Sequence, residues 1–260
     1  MPHHQRPGAQ LLRVVTDPGD RRRRRPERGR GHHRRHGEAD RRRTGPLRDD
    51  LEVSDVTTLV LLRHGETLLT PERRLSGSGG SDPGLSPAGR RQAQAAADAL
   101  AHRGDIEAVV TSPMRRCRET AQSVAARLGL SVQVDRDLRE ADFGAWEGLT
   151  FTEVRERYPD DLSAWFASPE SAPSGAGETM QQVTRRVTAV RDGLMAQYAG
   201  VTVLVVSHVG PLRTLIRLAL QAPPHSLFRM EVAAASLSTV TYDEDGTATV
   251  QALNDTHHLN

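Results

Sequence analysis

The chain has 260 residues, enough for one sizeable domain with an extension or for two small domains. Its basic residues are all arginine and unevenly spread: residues 1–50 carry 15 against 7 acids (a balance of +8), and residues 51–260 carry 20 against 26 (a balance of −6). The net charge of +2 averages two unlike pieces, so it does not mark the whole chain as a nucleic-acid binder; one cysteine, Cys117, excludes an intrachain disulfide and a cysteine-rich zinc site.

Residues 1–56 read as an arginine-rich extension. Arg, Pro, Gly and His dominate it and apolar periodicity is missing, so burial cannot offset the entropy of ordering and the segment is expected to be disordered. No Phe, Tyr or Trp interleaves the arginines of residues 1–52, so contact with nucleic acid through them is expected to be weak at most. Leu11-Leu12-Arg13-Val14-Val15 is too short and too interrupted for a secretory core, and no run approaches about 18 apolar residues. With one cysteine, these features fit a cytoplasmic protein without a membrane span.

From Thr57 the pattern alternates strands with helices. A strand over 57–63 ends in Arg63-His64-Gly65-Glu66, and a Gly/Ser/Pro loop runs to Gly84. Ser86-Pro87 supplies a cap and a first-position proline for a helix to about His102. A strand over 106–111 leads to Ser112-Pro113, read as the same device starting a helix that Gly129 ends. A short strand spans 130–134. Thr150 and Glu153 form a capping box for a helix that Pro159 is expected to stop, and 168–177 reads as loop. A helix over about 178–198 follows, with Met180, Val183, Val187, Val190, Leu194 and Tyr198 as a core stripe rather than a binding face. A central strand over 201–207, a helix over 210–220, and a hairpin of 235–242 with 247–253 complete the chain. The fold class expected is α/β: a mostly parallel central sheet with helices on both faces and a C-terminal hairpin, all within residues 57–260.

Four strand ends carry ionisable groups: Arg63-His64, Ser112 to Arg116, Leu138-Arg139-Glu140, and Ser207-His208. Parallel strands would bring all four to one sheet edge, where ligands bind in such folds. A second Arg-His-Gly-Glu at 35–38 has no apolar run before it and is set aside, since a motif counts only in its structural context.

The residue types suit phosphoryl transfer. A neutral His64 can attack phosphorus, while Arg63, Arg116 and His208 hold the phosphoryl oxygens. Glu140 can protonate the leaving oxygen and then activate water against the phosphohistidine. Arginines near the imidazole favour its unprotonated form. No cluster has metal-ligand spacing, so neither metal nor cofactor is expected. Cys117 reads as a packed, inert thiol.

These pieces resemble, in order, the motifs of the histidine phosphatase superfamily, phosphoglycerate mutase-like branch: Leu61 to Thr67, Ser112 to Ala121, Leu138-Arg139-Glu140 with Phe143 to Gly148, and Ser207-His208. The resemblance implies a phosphorylated His64, a proton-donating Glu140, and a phosphate pocket completed by Arg63, Arg116 and His208. It also implies a weaker substrate-binding set of Thr70, Ser76 and Gly77, with Thr70 and Ser76 standing where many members have Asn and Gln.

Within the superfamily, Phe143 to Thr150 and the Asn254-Asp255-Thr256 region are most similar to α-ribazole phosphatases and to the acid phosphatase half of actinobacterial ribonuclease H fusions. Residues 1–56 are too short and arginine-rich for a ribonuclease H domain, so only the phosphatase half is expected. Small residues between Glu140 and the long helix suggest little lid, which favours hydrolysis of a small phosphomonoester over phosphoglycerate mutase-type transfer. Oligomeric state is left open.

Overall fold

Strand β1 (Thr57–Arg63) places Leu59 and Leu61 on one face and Val60 and Leu62 on the other, so neither face tolerates water. In the computed structural model, which describes residues 56–174 and 176–260, both faces are covered. Helices α1 (Pro87–Arg103) and α2 (Arg115–Leu128) bring Ala96, Ala97, Leu100, Cys117, Ala121 and Val124 against Val60 and Leu62. Helices α5 (Met180–Gln197) and α6 (Val209–Ala219) bring Val183, Val187, Leu212 and Ile216 against Leu59 and Leu61. The extension expected at residues 1–56 lies outside the described residues, apart from Val56.

The remaining strands are β2 (Ala108–Thr111), β3 (Val132–Val134), β4 (Thr202–Ser207), β5 (Leu237–Tyr242) and β6 (Ala248–Asp255). They form a six-stranded sheet in the order β3-β2-β4-β1-β5-β6. The first four in that order pair parallel, and β5 and β6 add the antiparallel hairpin. The expected α/β architecture is therefore the observed one. Arg63 pairs with Ser207 across β1 and β4, and Thr111 with Val206 across β2 and β4, so these three strands end at one edge.

Ser86 accepts the Gly89 amide at 3.0 Å and caps α1, and the Thr150–Glu153 box is formed in both directions at the start of α3 (Phe151–Arg157). Two boundaries differ from expectation. The helix opened by Thr150 does stop just before Pro159, at Arg157, but Pro159 then opens a further, unexpected helix, α4 (Pro159–Ala167). A proline has no amide to lose at a first helical position, and Leu162 and Trp165, three apart, provide the buried face. Ser112-Pro113 does not open α2 either. Met114 is its N-cap, without a side-chain cap; the Ser112 hydroxyl accepts the Met114 amide at 3.3 Å ahead of the helix and also meets His208.

Gly65 and Gly89 hold the end of β1 against the start of α1. A Cβ on Gly65 would stand 2.5 Å from the Gly89 carbonyl oxygen, and one on Gly89 would run into the Glu66 carbonyl. The loop after the strand therefore packs backbone to backbone, which fixes the residue that begins it.

Candidate active site

His64 follows the last residue of β1, where its amide donates to the Ser207 carbonyl at 3.1 Å. Its Nδ1 lies 2.7 Å from the Gly65 carbonyl oxygen. A carbonyl only accepts, so Nδ1 carries the hydrogen and Nε2 carries the lone pair. Arg116 Nε donates to that lone pair at 3.2 Å. The Gly65 amide donates to the Thr120 hydroxyl at 3.1 Å, which ties the loop to α2.

Arg63 donates from Nη1 to the Val232 carbonyl at 2.8 Å, and its buried Nε has no partner. Burial pulls this guanidinium down to about 10; Glu140 opposes the shift, and Arg213 and Arg116 add to it. It remains charged at neutral pH.

Arg116, in the first turn of α2, is 1% exposed. Its Nη2 donates to the Ser76 carbonyl at 2.7 Å, while Nη1 is buried without a hydrogen bond and 3.6 Å from Asp82. The helix start that sequence reading offers to an outside anion already holds Asp82, whose two oxygens each accept the Arg115 amide at 3.0 Å. The guanidinium of Arg116, not the helix amides, faces the site.

Glu140 follows a 3₁₀ turn at Arg136–Leu138 rather than the strand itself. The Ala141 amide donates to its Oε1 at 2.9 Å, and the Gly210 amide lies 3.2 Å from each carboxylate oxygen. A Cβ on residue 210 would collide with Oε1, so the glycine makes room for the acid. The turn is clamped from α5: Arg186 donates to the carbonyls of Asp137 (2.6 Å) and Arg139 (2.8 Å) and forms a two-pronged pair with Glu178 (2.7 and 2.8 Å). Ser207 Oγ adds a 2.7 Å bond to the Leu138 carbonyl.

His208 is fully buried, with its ring centroid 5.1 Å from that of His64. Its Nε2 meets the Ser112 hydroxyl at 2.7 Å and Cys117 Sγ at 3.3 Å. Cys117 is a packed thiol, pushed up by burial. It supports His208 from the first turn of α2.

Arg63, His64, Arg116 and Glu140 line one cavity of about 440 Å³; His208, expected to hold phosphoryl oxygens with them, does not line it and packs edge-on against His64. Thr70 and Ser76 also line it. The Thr70 hydroxyl accepts the Thr67 amide at 3.0 Å and braces that turn, and Ser76 Oγ is buried without a partner. Gly77 is not on the wall. Its amide donates to Glu147 at 2.8 Å, and its missing Cβ makes room for the Ala141 carbonyl, so it shapes the loop rather than offering a donor.

Two expectations about the surroundings need correction. Met180, read as core alone, also lines the cavity. The stretch expected to leave little lid folds into α3 and α4, and their Phe151 and Trp165 form an aromatic wall with Phe228, whose ring centroid is 4.8 Å from that of Trp165. Small residues flank this stretch, but the aromatic residues between them are what reach the site.

Both imidazoles are held well below their ordinary 6.5, first by burial and then by Arg116 and other charged neighbours. The unfolded chain takes up protons below about pH 6.5 that the folded chain refuses, so stability falls as pH drops through this range. The pair contributes up to about 2.7 kcal/mol per pH unit, until pH reaches their depressed values. Denaturant unfolding at about pH 7.5 and 5.5 checks this. Between these two pH values His64→Gln should lessen the loss by about 1.4 kcal/mol in total, and equal losses in variant and wild type would refute it.

The sequence pattern of the histidine phosphatase superfamily, branch 1, matches residues 59–256. The chain belongs to this superfamily. The bifunctional protein Rv2228c of Mycobacterium tuberculosis is 49% identical over 203 residues, which cover 78% of this chain and 55% of that protein. The chain thus spans about half the length of the mycobacterial relatives it matches. Phosphoserine phosphatase 1 of Hydrogenobacter thermophilus is 31% identical, covering 77% of this chain and 93% of its own. A mycobacterial glucosyl-3-phosphoglycerate phosphatase superposes with a TM-score of 0.69 at 30% identity, covering 77% of this chain and all of that one. This histidine phosphatase domain therefore has phosphatase-type relatives, and among its described residues no helix is long and apolar enough to cross a membrane.

Proposed function

We propose that this chain is a metal-independent phosphomonoesterase of the histidine acid phosphatase type, acting in the cytoplasm on small phosphorylated metabolites. The observation that carries the reading is the His64 tautomer: Nδ1–H is spent on Gly65, which leaves the Nε2 lone pair in a cavity shared with Arg63, Arg116 and Glu140.

In the proposed cycle, Nε2 attacks phosphorus in line, the P–O bond to the alcohol breaks, and Glu140 gives its proton to the departing oxygen. Arg63 and Arg116 take up the charge on the phosphoryl oxygens, and His208 supports them from behind His64. Water then loses a proton to the Glu140 carboxylate and attacks phosphorus, the P–N bond breaks, and inorganic phosphate leaves with His64 restored. Guanidinium groups meet the substrate charge, which is the basis for expecting no metal requirement. The Trp165 and Phe228 wall suits the alcohol portion of the substrate.

The test is a turnover panel of p-nitrophenyl phosphate, 3-phosphoglycerate, O-phosphoserine and α-ribazole phosphate, the last included because of the sequence resemblance. Phosphate release from several members, unaffected by chelator, is expected. Rapid isomerisation of 3-phosphoglycerate with negligible phosphate release would replace the reading with a mutase.

A further inference from the structure

Arg213 has no part in the cycle above, yet it is half-buried and lines the same cavity. Among the described residues its guanidinium makes no hydrogen bond or ion pair, and its Nε is buried without a partner. Glu140 and Glu231 act on it through space, and it repels Arg63. A partly buried cation without a hydrogen-bond partner, sharing a cavity with Arg63 and with apolar Leu227 and Phe228, is an unfilled place for an anion.

The position of Arg213 indicates which anion. It lies one turn beyond Gly210 on α6, whose amide holds Glu140, and it shares the cavity with that carboxylate, whose charge acts on it. Glu140 is the group assigned to the ester oxygen, so its neighbour there stands beside the alcohol rather than behind the phosphoryl group. Arg63 and Arg116, at the β1 and α2 side, already supply two positive charges for a phosphate dianion.

We infer that Arg213 is a specificity-determining residue that binds a carboxylate on the substrate's alcohol, close to the ester oxygen, so the preferred substrates are phosphomonoesters of small hydroxy acids. This rests on the phosphatase reading and narrows it. It makes α-ribazole phosphate, which lacks such a group, a poorer substrate than a phosphorylated hydroxy acid.

Two matched pairs test it with the full chain: O-phosphoserine against O-phosphoethanolamine, and 3-phosphoglycerate against glycerol 3-phosphate. Each pair differs in the carboxylate. The wild type should favour the carboxylate-bearing member by about 10- to 100-fold in kcat/KM, the scale of one charge-assisted hydrogen bond. Arg213→Gln should bring that ratio to within about threefold of one, and Arg213→Lys should keep part of the preference.

A wild-type ratio near one in both pairs overturns the proposal, whether or not the variants fold. So does an Arg213→Gln variant that slows both members of each pair alike, which would assign the guanidinium to the phosphoryl group. p-Nitrophenyl phosphate, with no second anion, reports the phosphatase reading separately. Its hydrolysis at a wild-type ratio of one sinks this inference alone, and no phosphate release from any compound sinks both.

Discussion

His64→Asn should slow turnover of every phosphomonoester by about 10⁴-fold or more, with the fold intact. Asparagine can still donate to the Gly65 carbonyl, so the loop keeps its anchor while the Nε2 lone pair is lost. The other imidazole cannot substitute: His208 is fully buried and held by Ser112 and Cys117. What remains is a charged cavity that binds phosphate without bonding to it. The check is steady-state phosphate release together with covalent labelling from a radiolabelled substrate. Wild type should carry acid-labile, alkali-stable label, and the variant none. Activity above about one per cent of wild type would remove His64 from the nucleophile's role.

The second large effect concerns Glu140→Gln, and its size should depend on the leaving group. The amide keeps the shape, and its oxygen can still accept from Ala141 and Gly210, so geometry changes little while the transferable proton is lost. Alkyl phosphates, whose alkoxides need that proton, should lose about 10²–10⁴-fold in kcat. p-Nitrophenolate leaves without help, so the first step with p-nitrophenyl phosphate should be largely spared. Hydrolysis of the phosphohistidine also uses this carboxylate and should not be spared. Rapid mixing should therefore show a near-stoichiometric burst of nitrophenol followed by a slow steady state. Equal slowing of alkyl and nitrophenyl esters, with no burst, would show that Glu140 is not the proton donor.

Much of this arrangement is legible in the sequence, for a physical reason. Buried parallel strands announce themselves as apolar runs, and residues just beyond them are forced to the sheet edge, as Arg63, His64 and His208 are. The capping box at Thr150 is equally local. What escapes is settled by distant partners. Ser112 looks like a helix cap, but its hydroxyl accepts the Met114 amide ahead of the helix and meets His208, 96 positions away. Asp82 fills the anion site of α2 from a loop that carries no periodicity. Gly210 reads as a flexible helix residue, and only the proximity of Glu140 gives its bare Cα a purpose. Arg186 and Arg213 look like ordinary helix arginines. α4 was open to detection, since Pro159 repeats the device at Pro87 and Leu162 and Trp165 share its inner face.

The bond from Arg116 Nε to His64 Nε2 has a further consequence for the resting protein. While it stands, the electron pair assigned to the attack in the proposed cycle is masked, and stray electrophiles meet a blunted imidazole. In the proposed cycle an incoming phosphoryl oxygen would offer the guanidinium a stronger, charge-assisted partner and draw it off the ring. The guest to be attacked would thus arm the attacker, and reactivity would be withheld until there is something to react with.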